Sequence, residues 1–146
     1  MDVRANFRDV AEQILNRYQQ TSFINRWNEA IATDQDSKPL AFWTRESDDI
    51  VNIVWLTRNH IKDITWFPKR GMSTFNFLQV SDIQGIEVRE KTDIAVEFGL
   101  GITGSYVVDV HASSQRAGVV WVASNKREID ELSQFLGQLL RTLLGD

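Results

Sequence analysis

From residue 40 to 123 the chain reads as short, strand-like apolar segments set too close together for crossover helices. Parallel neighbours need connections of a dozen or more residues, so short turns imply antiparallel meanders. The alternation is cleanest at Ile94, Val96, Phe98, Leu100 and Ile102, which point one way against Ala95, Glu97, Gly99 and Gly101. Tyr106, Val108, Val110 and Ala112 repeat it against Val107, Asp109, His111 and Ser113. Residues 50–58, 61–67, 74–80, 83–90 and 119–123 complete seven expected strands, with residues 40–45 as an additional short one. Ser47-Asp48-Asp49, Asn59-His60, Pro68-Lys69-Arg70-Gly71 and Ser81-Asp82 supply the turns.

Helices flank this β-rich stretch, which makes the class α+β. Val3, Phe7, Val10, Ile14 and Tyr18 recur at helical spacing, widened by Ala11 and Leu15. Ser22 reads as the N-cap of a second helix with Phe23, Ile24, Trp27 and Ile31 on its apolar side. At the other end, Asn125-x-x-Glu128 is a capping box. Ile129, Leu132, Phe135, Leu136, Leu139, Leu140, Leu143 and Leu144 form one broad stripe behind it, and Gly145 suits the C′ position. The 146 residues fit one compact domain. Its expected parts are an N-terminal helical extension, residues 1–36, and a β-rich body with the closing helix, residues 37–146.

Few chemistries survive the composition. Cysteine is absent, which removes disulfides, thiolate nucleophiles and cysteine-based zinc sites. His60 and His111 each stand alone, so no histidine metal site is expected. Asp34-x-Asp36-x-Lys38 begins like a calcium loop, but Pro39 and Arg45 occupy the positions that need Gly and Glu. No nucleophile-elbow or Ser-x-x-Lys sequence occurs. Gly99-Leu100-Gly101-Ile102-Thr103-Gly104 spells the dinucleotide fingerprint, yet a strand pattern follows it where the fingerprint requires a helix. Asp48, Asp49, Asp82, Glu87, Glu90, Asp93, Glu97 and Asp109 fall in turns or on outward strand faces. The expectation is therefore a chain with no catalytic site and no cofactor.

Trp55, Trp66 and Trp121 lie inside strand patterns, where core filling is the expected role of large rings. A net charge of −4 speaks against nucleic acid as a partner. No apolar run reaches the length of a membrane span, and the first eight residues lack the apolar core of a secretory signal. A cytoplasmic location is the corresponding expectation. Charge is unevenly spread: residues 37–80 hold six basic and four acidic side chains, while every other segment is net acidic. Within the basic stretch, Arg58, His60, Lys62, Lys69 and Arg70 gather in or beside two turns. They form the candidate site for an anionic ligand or an acidic protein partner.

Seven antiparallel strands and a capped amphipathic helix resemble the pleckstrin-homology-like superfamily. Phe77-Leu78-Gln79-Val80-Ser81-Asp82-Ile83-Gln84-Gly85-Ile86-Glu87-Val88 resembles the passage from the third strand to the fourth in such domains. Tyr106-x-Val108-x-Val110-x-Ala112 resembles the sixth strand, and residues 119–144 resemble the seventh strand and closing helix. The resemblance implies a partly open barrel capped by the helix, and a non-catalytic module that binds phosphoinositides, peptides or proteins. The inositol-phosphate motif of these domains uses a Lys followed by a Lys/Arg-x-Arg triplet. The first hairpin has Arg58 and Lys62 and no triplet, so phosphoinositide is not the expected ligand. Helix-grip domains of the START and Bet v 1 type are the alternative; they hold hydrophobic ligands in a cavity but normally begin with a strand. The leucine-rich terminal helix also offers a route to a homo-oligomer.

Overall fold

Two helices precede the first strand in the computed structural model, which describes residues 3–32, 39–91, 95–102 and 118–145. Helix α1 (Val3–Tyr18) buries Phe7, Ala11, Ile14 and Leu15; helix α2 (Thr21–Ala32) buries Phe23, Trp27 and Ala30. Gln19 joins them in the left-handed backbone region at φ 48°. Ser22 is not the N-cap: α2 already begins at Thr21, and the Ser22 hydroxyl meets the Ser73 hydroxyl instead.

Four strands follow as an open antiparallel sheet in sequence order: β1 (Ala41–Glu46), β2 (Val51–Leu56), β3 (His60–Phe67) and β4 (Met72–Gln79). The short segment expected at residues 40–45 is thus a full edge strand. Residues 77–88 consequently run from the fourth strand to the fifth, through a 3-10 turn at Val80–Asp82. A second antiparallel sheet comprises β5 (Ile83–Lys91), β6 (Ala95–Ile102) and β7 (Gly118–Ala123). Gly99 and Gly101 sit inside β6, opposite Glu87 and Gly85, so that part of the fingerprint is strand and not a phosphate-cradling turn. The strand expected around Tyr106–Ala112, and with it His111, Asp109 and Gly104, lies outside the described residues, as do Asp34, Asp36 and Asp93.

Both faces of the first sheet are covered over β2 and β3. One face carries Val51, Ile53, Trp55, Ile64 and Trp66 against α1 and α2. The other carries Val54, Leu56, Ile61 and Leu78 against Trp121 of β7 and against Leu132, Phe135 and Leu139 of helix α3 (Lys126–Leu143). All five tryptophans are buried, as core filling requires. Phe7 is the hub of the first core, with its ring 5.1 Å from Trp55, 5.7 Å from Trp27 and 5.2 Å from Phe42. In the second, Trp121 meets Trp43 and Phe135 edge-on at 6.1 and 6.0 Å.

Helix α3 starts at the expected Asn125 cap, but Glu128 closes the box on the residue before it. Asn125 Oδ1 accepts from the Glu128 amide at 2.9 Å, and Glu128 Oε1 accepts from the Ser124 amide, one residue before the cap. Gly145 closes it at φ 82°. No described helix is long and apolar enough to cross a membrane.

Candidate functional site

A groove of about 830 Å³ runs between the free edge of β1 and α3, with Asn6 of α1 at its margin. One wall is Leu40 with Ala41 and Phe42 of β1; the α3 wall includes Glu131, Gln134, Gln138 and Arg141. Strand β1 has β2 on one side and no strand on the other among the described residues. The Thr44 amide points out from that edge and donates to Glu131 Oε1 at 3.1 Å. Arg127 Nη1 reinforces this end, reaching Glu131 Oε2 at 2.7 Å and Thr44 Oγ1 at 3.2 Å. A carboxylate from α3 thus takes the place of a strand partner at Thr44. Gly137 lies on the groove wall in mid-helix, where a Cβ would meet no atom within 4 Å.

A second cluster lies between the sheets. Asp63 of β3 is buried, and Trp121 Nε1 donates to its Oδ2 at 2.8 Å across to β7. Thr65 Oγ1 donates to Asp63 Oδ1 at 2.8 Å, and Asn52 Nδ2 donates to both of these oxygens. Loss of hydration raises the Asp63 carboxyl pKa, and the donors Trp121, Thr65, Asn52 and Asn76 offset part of that rise. Trp43 Nε1, in the same core, has no hydrogen-bond partner among the described residues. The carboxylates expected in turns did not include Asp63. Its signal in the sequence is the pair Lys62-Asp63, charged on consecutive positions inside the apolar run of a strand.

The five basic candidates do not converge. Arg58 is exposed in the β2–β3 turn; His60 opens β3 with its ring 4.6 Å from Phe77. Lys69 and Arg70 lie in the β3–β4 turn, at the other end of a strand eight residues long. That length separates the two turns by about 25 Å. Lys69 pairs with Asp49 at 2.6 Å, with both side chains 72% exposed. The pair raises the Lys69 pKa and lowers that of Asp49 by hydrogen bonding and by charge. Arg70 stacks over Phe67 at 5.6 Å. Lys62 is not beside a loop at all. It is fully buried in β3, donating from Nζ to the Ala30 carbonyl at 2.9 Å. That carbonyl belongs to the last turn of α2, where no basic residue of the helix itself is available. Lys62 therefore supplies the C-terminal cation from a neighbouring strand.

No protein-family model matches the chain, and no curated protein matches it.

Proposed function

We propose that the chain is a non-catalytic interaction module with the arrangement of a pleckstrin-homology-like domain. Among the described residues, an open four-stranded antiparallel sheet, a three-stranded one and a capped helix laid beside β1 support that arrangement, with the two sheets read as parts of one partly open barrel and β1 added ahead of the strands that carry the resemblance. The N-terminal helices form an added layer on its outer face. The observation that carries the reading is the groove beside the β1 edge. An open strand edge offers main-chain donors and acceptors to an incoming segment, the basis of recognition by strand addition. The hydrophobic-carrier alternative needs room between sheet and helix, a position filled by Trp43, Trp121, Phe135 and Leu139 among the described residues.

The test is selection from a displayed library of unstructured peptides against the full chain. Enriched peptides that bind saturably, and that leave a control protein of equal charge unbound, are the expected result. No enrichment over the control overturns the reading.

A further inference from the structure

We infer that the occupant of the groove is an extended C-terminal peptide segment, paired with the edge of β1 at Phe42 and placing its terminal carboxylate against Arg141. The inference rests on the reading of the chain as an interaction module and names the partner's chemistry.

The backbone geometry sets the mode. Because the Thr44 amide faces out toward Glu131, the two-residue period of a strand turns the Phe42 N–H and C=O to the same side. Phe42 lines the groove. The Thr44 amide is already satisfied by Glu131 and the Leu40 amide by the Leu56 carbonyl of β2 at 2.7 Å, so the pairing position left open on this edge is Phe42.

The two walls run side by side over matching lengths. Glu131 abuts Thr44, and Arg141 lies ten residues further along α3, about 15 Å at the helical rise. From Thr44 back to Leu40, just ahead of β1, is four residues, about 13 Å. A segment of about four extended residues spans that distance. Gln134 and Gln138, four apart on α3, line the helix wall and place amide donors and acceptors opposite the outer backbone edge of such a segment. The absence of a side chain at Gly137 lets that backbone approach the helix.

Charge fixes the end group. Glu131 is engaged twice, by the Thr44 amide and by Arg127. Arg141 is exposed, donates only to Gln138 Oε1 at 3.2 Å, and has no ion pair among the described residues. A guanidinium on the groove wall matches the planar carboxylate at the C-terminus of the bound segment.

Two pools of N-acetylated random tetrapeptides, one with free C-terminal carboxylates and one amidated, distinguish the outcomes. Each is titrated into the full-length chain and read by backbone amide shifts at about 1 mM peptide. The expected result is shifts at residues 40–44 and 134–141 from the free-acid pool, with the amidated pool about fivefold weaker. Arg141→Gln should abolish that difference and leave the amidated pool unchanged. Amide hydrogen exchange at Phe42 should slow with the free-acid pool, which separates strand pairing from mere contact. Equal potency of the pools, a difference that survives in Arg141→Gln, or an unchanged Phe42 rate each overturns the inference. Shifts confined to the turns at Arg58 or Lys69–Arg70 overturn it too, while leaving the interaction-module reading intact. Absence of any shift overturns the inference alone if library peptides still bind saturably, and both readings if they do not.

Discussion

Four donors surround the Asp63 carboxyl, yet the loss of hydration still dominates and its pKa is raised. The folded state therefore keeps a proton on Asp63 at pH values where the unfolded chain has released it. Stability from this group is present below the ordinary carboxylate range, about pH 3.9, and is lost as pH rises through the folded value. Asp63→Asn should accordingly gain on the wild type as pH increases from about 4 to about 7, measured as the difference in thermal midpoint across a pH series. A difference that stays constant with pH would refute the assignment. The neighbouring Lys62 works on the opposite face of β3. Lys62→Met keeps the apolar stem and should cost about 1–2 kcal/mol, whereas Lys62→Ala also opens a cavity and should cost about 3 kcal/mol. Denaturant titration of the two variants separates the ammonium's contribution from that of its stem. Neither residue was legible as buried. An alternating reading of a strand assumes one wet face, and β3 has none: only its first and last residues are partly exposed.

At the scale of the element, α3 was the most legible part of the molecule. Its cap, stripe and terminal glycine are local, and local signals survive without knowledge of the fold. Asn125→Ala removes the bond to the Glu128 amide and should destabilise the protein by about 1 kcal/mol. Gly137→Ala should do the reverse, adding about 0.5–1 kcal/mol, because helix propensity improves and the new methyl meets nothing. Chemical denaturation of both variants gives the two signs in one experiment. The described strands were legible as strands, but the basic cluster was misleading. Sequence proximity joined Arg58 to Lys69 and Arg70, while β3 carries the chain to the opposite end of the sheet between them. The groove left no trace in any local pattern, since Asn6, Phe42 and Arg141 come from three distant parts of the chain.

For the whole molecule, α1 and α2 are structural and more than an appendage. Helices α1 and α2 supply Phe7, Ala11, Ile14, Leu15, Phe23 and Trp27 to a core whose other half is the outer face of the sheet. A chain lacking residues 1–32 would expose Val51, Ile53, Trp55, Ile64 and Trp66 together, an apolar patch of the kind that drives association. Such a truncation should aggregate, or bind a hydrophobic dye strongly, under conditions where the full chain stays dispersed. Light scattering with dye fluorescence checks this; a monomeric, dye-free truncation would show that the sheet face is stable alone.

The hairpin of β2 and β3 belongs to both cores at once, one face to each. Neither core can come apart without stripping that hairpin, so the two are linked as one cooperative unit rather than two that melt in turn. A single thermal transition is expected, with the slowest native-state amide exchange at Ile53, Val54, Lys62 and Ile64, in the middle of the two shared strands.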